Sequence, residues 1–311
     1  MRIAVMGTGG VGGFFGAKLL AGGEDVTFIA RGAQLQAIRT HGLRIESEVS
    51  PLHVRPQAAT DDPAIVPPQD VILFCVKLWD VESAAEQMRP MVGAHTAVIP
   101  LQNGIDSEQR VAGAILGAKS VMGGVAHISA TVIEPGVIRH TGKLQRLTFG
   151  EMDGTRSARA EAFLEACARA KIDGRLTERI EEAIWDKFMF LVAFSGMTAL
   201  LRVGIGPIRE DAETFAMFRA AMEEVFAVAA AKGVAFAGDP MGQWLKAIAA
   251  MPYDYRASML EDLERGRRLE LPWLSGAVAR LGAELGVAAP VNRFIATALK
   301  LHADPARQRG A

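Results

Sequence analysis

The first half of the chain alternates short apolar runs with segments of helical period, and the second half is helical in pattern throughout. Arg2 to Met6 is a short apolar run containing Ile3 and Val5, which reads as a buried strand. After a glycine-rich stretch, Phe14, Phe15, Ala17, Leu19 and Leu20 recur at helical spacing until Gly22-Gly23. A second strand is expected over 26–30 and a short helix over 34–40, stopped by His41-Gly42. Partial alternation over 43–54 predicts a hairpin at the sheet edge, and 61–68 is a turn-rich connection with three prolines. Val71 to Val76 is nearly continuous in apolar residues, the mark of a parallel strand covered on both faces, and it stops at Lys77. A helix over 81–88 leads to a buried strand over 96–101, which ends at Gln102-Asn103-Gly104. A helix over 107–116 and a strand within 120–129 follow.

This alternation predicts right-handed βαβ units and one parallel sheet. Further on, 134–150 reads as hairpin strands turning at Pro135-Gly136, 156–170 as an amphipathic helix and 174–177 as a last strand. From Glu178 the strand-like runs vanish, and helical patterns succeed one another over 180–202, 211–232, 238–250, 254–268, 272–285 and 290–302. The expected fold is therefore α/β: a doubly wound sheet over residues 1–177, then an all-α domain over 178–311 with a frayed tail from Asp304.

Composition changes this picture little. The 311 residues are 50% hydrophobic and 22% charged with a formal net charge of −1, which gives no reason to expect a nucleic-acid or membrane partner. Cys75 and Cys167 are the two cysteines, and both fall in apolar patterns that suit small core residues. The longest apolar stretch, Phe188 to Leu201, is too short to span a bilayer and suits a buried helix. Five glycines between positions 7 and 13 break any signal-peptide core, so a cytoplasmic location is expected.

Gly7-Thr8-Gly9-Gly10-Val11-Gly12 satisfies G-x-G-x-x-G directly between the first strand and the first helix. In that context Gly7 permits the turn, Gly9 lets the backbone touch a pyrophosphate, and Gly12 lets the helix pack on the sheet. The phosphates would meet unsatisfied N–H groups at the helix N-terminus. A fold of this kind that binds NAD usually closes its second strand with Asp or Glu, for the ribose 2′-hydroxyl. Here Ala30-Arg31-Gly32 stands instead, and a guanidinium suits a 2′-phosphate, which favours NADP. Gly7, Arg31, Lys77 and Asn103 all fall at carboxyl ends of expected strands, where ligands of such sheets bind.

Two further stretches could carry chemistry. Lys187 sits in Trp185-Asp186-Lys187-Phe188 among bulky apolar residues. Desolvation would lower its pKa and make it a proton donor near neutral pH, whereas a snorkelling lysine would keep its head in water. Ser258 and Glu270 are twelve positions apart. On one straight helix at about 100° per residue they diverge by about 120°, so they share a face only if the helix bends, Gly266 being a place for it. A solvated face accounts for most charges of this segment. Lys77 and Asn103 also have plain readings, as a strand end and a turn residue. There is no Cys/His cluster or H-E-x-x-H, so no metal is expected.

The order and spacing of Gly7 to Gly16, Val26 to Gly32, Val76-Lys77, Gln102-Asn103-Gly104, Trp185-Asp186-Lys187, Ser258 to Glu270 and Ala289-Pro290-Val291-Asn292 resemble the ketopantoate reductase family. The resemblance implies a Rossmann-type NADPH domain, a helical domain and an active site in the cleft between them, where ketopantoate is reduced to D-pantoate on the way to pantothenate and coenzyme A. Carried over by position, Lys187 would be the general acid and Glu270 the carboxylate that orients it and the substrate. Asn103 and Ser258 would hold substrate polar groups. Asn103 would also border the cofactor, and Arg31 and Lys77 would meet the 2′-phosphate end of NADPH.

The family pattern has asparagines one and two turns after the lysine, and here those positions are Leu191 and Ser195. Ser275-Gly276 likewise replaces an Asn-Gly pair. The implied partner is a small keto acid, with a homodimer possible. The alternatives are a reductase of a more apolar keto acid and a non-catalytic NADPH-binding sensor.

Overall fold

The computed structural model describes residues 1–115 and 117–304. Leu116, expected to close a helix, and residues 305–311 of the expected frayed tail lie outside them. The chain divides into two compact units. One comprises Met1–Gln102 and Asp106–Ala183; the other comprises Asn103–Ile105 and the chain from Ile184 onward.

The first unit runs β1 (Arg2–Met6), α1 (Gly10–Ala21), β2 (Asp25–Ile29), α2 (Gly32–His41), β3 (Leu43–Ser47), β4 (Leu52–Val54), β5 (Ala58–Thr60), β6 (Gln69–Phe74), α3 (Val81–Met88), β7 (Val92–Pro100), α4 (Ser107–Ile115), β8 (Met122–Glu134), β9 (Val137–Glu151), α5 (Ala158–Arg169) and β10 (Asp173–Leu176). Five strands form a parallel sheet in the order β5-β2-β1-β6-β7. The winding reverses between β1 and β6, which makes the sheet doubly wound and opens a crevice beyond their carboxyl ends. The apolar runs belong here because both faces are covered. Ile3 and Val5 of β1 join a core with Phe14, Phe28, Leu73 and Ile99, while Ala4 and Met6 join another with Ile29, Ile72 and Phe74.

A second, mixed sheet corrects the expectation of one sheet. It has the order β10-β9-β3-β4, with β8 paired antiparallel to β9. The 43–54 hairpin is real, but it joins this sheet and not the edge of the parallel one. The strand expected over 120–129 continues to Glu134 and turns at Pro135-Gly136. The edge of the parallel sheet is instead β5, whose three residues Ala-Ala-Thr are too few to show a pattern. Alternation reveals that a segment is a strand, but not which sheet it joins.

The second unit is helical. α6 (Ile180–Leu201) begins in the first unit and is followed by α7 (Ile205–Glu210), α8 (Ala212–Ala231), α9 (Pro240–Ala249), α10 (Ser258–Glu264), α11 (Ser275–Leu285) and α12 (Pro290–Ala298). Beyond Lys187, α6 is almost uniformly apolar because it is a core helix. Phe188, Met189, Val192 and Met197 pack with Phe218, Met222 and Val225 of α8 and Ile295 of α12. Its 22 residues are long and apolar enough to cross a bilayer, contrary to the expectation from the apolar stretch alone, but 72% of its apolar window is buried in the protein. Burial, not length, identifies it as a core element.

Candidate active site

At the carboxyl ends of β1, β2 and β6 lies a cleft of about 360 Å³, bordered by Gly7, Thr8, Gly9, Arg31, Gln34 and Lys77, among others. Gly7 has φ +97°, a conformation only glycine adopts without strain. A Cβ on Gly12 would stand 2.4 Å from the Gly7 carbonyl oxygen, so only glycine lets α1 start this close to β1. At Gly9 the Cβ position is open space, with no atom within 4 Å. This is a cradle shaped for a phosphate group against bare backbone. Gly10, Val11 and Gly12 do not border the cleft. Gly10 lies beneath the Ala130 carbonyl, and Val11 packs on the core of the parallel sheet.

Arg31 is exposed just before α2, and its guanidinium donates to Gln87 Oε1 at 2.7 Å. The Lys77 ammonium lies 5.5 Å from the centre of the Trp79 ring. Both cations border the cleft together with Asp80, and no carboxylate stands at the end of β2. The residues fit a dinucleotide with a 2′-phosphate. Gln34 was not foreseen, since a glutamine in a surface helix carries no signal.

The second unit holds a separate polar group. The Lys187 ammonium donates to Asn103 Oδ1 at 2.9 Å, and Asn103 Nδ2 donates to Glu270 Oε2 at 3.3 Å. Asn103 thus belongs with Lys187 and Glu270 in one compact unit, although 84 residues separate it from the lysine. The preceding Gln102 fixes the point of departure by donating from Nε2 to the Phe74 and Val76 carbonyls at the end of β6. Glu270 is 8% exposed. Desolvation pulls the Lys187 pKa down to about 8, and the nearby Glu270 carboxylate works in the opposite direction. The lysine does not snorkel free: its head is held in a hydrogen bond and poised to give up a proton near neutral pH.

Asp186 is held from α9. The Trp244 indole N–H donates to both its carbonyl and its carboxylate at 3.0 Å, while the ring stacks on Phe190 at 4.4 Å. Nothing in the sequence announced this pairing. Glu270 and Ser258 do not share a helix, because α10 ends at Glu264 and the chain turns through Gly266 at φ +61°. Ser258 is exposed at the first residue of α10, and among the described residues no hydrogen bond joins it to Lys187, Asn103 or Glu270. Leu191 is half-buried against the helical core, and Ser195 is only 1% exposed.

His140 and the two cysteines serve structure. His140, 3% exposed, lies within hydrogen-bond distance of Ser47 Oγ and the Leu144 carbonyl, with its ring against Phe14. Cys75 and Cys167 are free thiols, both with pKa raised by burial. No group of His, Cys, Asp or Glu among the described residues could hold a metal ion.

Comparison with known proteins identifies the family. Residues 3–154 match the family model "Ketopantoate reductase PanE/ApbA", and residues 179–303 match its C-terminal counterpart. A 2-dehydropantoate 2-reductase of Mesorhizobium japonicum is 33% identical, covering 91% of each chain. The oxidoreductase YkpB of Bacillus subtilis is 29% identical over 97% of this chain and 99% of its own. The crystal structure of 2-dehydropantoate 2-reductase from Geobacter metallireducens superposes with a TM-score of 0.90 at 31% identity, covering 97% of this chain and 99% of that one. The chain belongs to the ketopantoate reductase family and is an NADP-dependent oxidoreductase.

Proposed function

We propose that the protein reduces a 2-oxo acid to the 2-hydroxy acid with NADPH, ketopantoate to D-pantoate being the reaction that the names of its relatives suggest. The observation that carries this reading is the partly buried chain of hydrogen bonds from Lys187 through Asn103 to Glu270. When bound, NADPH supplies the hydride that the carbonyl carbon accepts. Negative charge then builds on the carbonyl oxygen. The Lys187 ammonium stabilises that charge and supplies the proton. Asn103 fixes the position of Nζ through its carbonyl and is itself fixed by Glu270. Asn103 also keeps a second N–H and a second lone pair for a substrate carboxylate or hydroxyl. Glu270 has an electrostatic role as well, keeping Lys187 protonated against the cost of burial. Gly7, Thr8 and Gly9 would hold the pyrophosphate, with Arg31 and Lys77 toward the 2′-phosphate. Ser258 is proposed as a substrate contact on family pattern alone. The two free thiols fit a reducing cytoplasm.

The acid must be protonated to act, which fixes the sign of the pH dependence. kcat/KM should be flat below about pH 8 and fall above it as Lys187 loses its proton. In Glu270→Gln the supporting charge is gone, so the falling limb should move to lower pH. A limb that stays in place would remove Glu270 from this role.

Leu191 favours a substrate more apolar than ketopantoate. A buried hydroxyl left without a partner costs about 1–3 kcal/mol, and leucine offers none. Compared with a deoxygenated analogue, ketopantoate should therefore be a poor substrate, and Leu191→Asn should shift kcat/KM toward it by roughly tenfold. If the wild type already prefers ketopantoate and Leu191→Asn changes nothing, another group holds the hydroxyl.

A further inference from the structure

Gln34 is half-buried on α2, borders the cofactor cleft, and has both ends of its amide engaged. Its Nε2 donates to the Thr8 carbonyl at 3.0 Å, and its Oε1 accepts the Gly136 N–H at 2.9 Å. One side chain thus ties the glycine loop to the turn between β8 and β9. That hairpin also lies over the loop elsewhere: a Cβ on Gly10 would stand 2.1 Å from the Ala130 carbonyl oxygen, and Val132 borders the cleft. Thr8 is pinned from its other side too, its N–H and its hydroxyl both donating to the Ile29 carbonyl.

The consequence follows from peptide geometry. The Thr8 carbonyl and the Gly9 N–H belong to one planar trans peptide and point in opposite directions. Holding the carbonyl on Gln34 therefore turns the Gly9 N–H the other way, at the residue whose Cβ side is open space. We propose that Gln34 is a positioning residue for the dinucleotide: it locks the Thr8–Gly9 peptide so that the Gly9 N–H is presented to the pyrophosphate, without touching the 2′-phosphate. An N–H already aimed at an anion adds affinity that a freely rotating peptide would spend on ordering. This rests on the glycine loop being the pyrophosphate site.

The test measures dissociation constants of wild type, Gln34→Met and Gln34→Ala for NADPH, NADH and adenosine 2′-phosphate by calorimetry, with thermal melting as the check on folding. NADPH and NADH share the pyrophosphate, so both variants should weaken them by the same factor, roughly tenfold. Adenosine 2′-phosphate lacks the pyrophosphate, and its affinity should be unchanged. Loss of NADPH and adenosine 2′-phosphate with NADH retained would mean that Gln34 reads the 2′-phosphate, and would overturn the proposal. A parallel loss of all three would make Gln34 a plain structural residue, and no change in any would leave it no role; either result overturns the proposal. Wild-type protein that held adenosine 2′-phosphate but neither dinucleotide would fail the pyrophosphate reading itself, before any variant is compared.

Discussion

Lys187→Ala should lose about 10²–10⁴-fold in kcat while its dissociation constant for NADPH stays nearly that of wild type. The size follows from what is removed. The substitution deletes the one ammonium of the Lys187–Asn103–Glu270 group, and with it the proton for the nascent alkoxide. It leaves the glycine cradle, Arg31 and Lys77 intact. Stability should change little, because burying this ammonium has a cost: desolvation has already pulled its pKa down to about 8. Steady-state kinetics together with a binding titration separate the two effects. A variant with near wild-type turnover would remove Lys187 from the mechanism, and one that no longer binds NADPH would point to a wider structural role.

Arg31→Ala should weaken NADPH by about tenfold to a hundredfold and leave NADH within about a factor of two. A hydrogen bond to a charged group is worth roughly 1.5–3 kcal/mol, and only NADPH carries the phosphate that would receive it. The neutral partner Arg31 now holds, Gln87, is easily exchanged for a dianion. Titrating both dinucleotides against both proteins checks this. Equal losses for NADPH and NADH would move Arg31 away from the 2′-phosphate.

The parts of the molecule legible in the sequence are those whose cause is local. A strand buried on both faces needs an unbroken apolar run, and Val71 to Phe74 shows one. The tight turn after β1 needs a positive φ, and Gly7 supplies it. The helical texture after Glu178 is equally local. Sheet membership is not local, and this is why the 43–54 hairpin and the strand at 120–129 join the second sheet and not the parallel one, and why β5 shows no pattern. The candidate site divides in the same way. Lys187 stood out because a charge among Trp185, Phe188 and Phe190 demands a reason. Its bond to Asn103, the tie from Trp244 to Asp186 and the clasp of Gln34 on Thr8 are all contacts between distant parts of the chain. No spacing encodes them. Helical spacing does not relate Ser258 to Glu270, because α10 ends at Glu264 and the chain turns at Gly266.

Turnover of a 2-oxo acid is what the Lys187–Asn103–Glu270 group predicts of this NADP-dependent oxidoreductase. Its most direct test is to follow NADPH absorbance with wild-type enzyme over a panel of 2-oxo acids, from ketopantoate to analogues with purely apolar tails, and to quantify the 2-hydroxy acid formed. The expected result is one product molecule per NADPH consumed, with the highest kcat/KM among the apolar members. Tight NADPH binding with no oxidation by any member of the panel would contradict the account and leave a binding protein in place of a reductase.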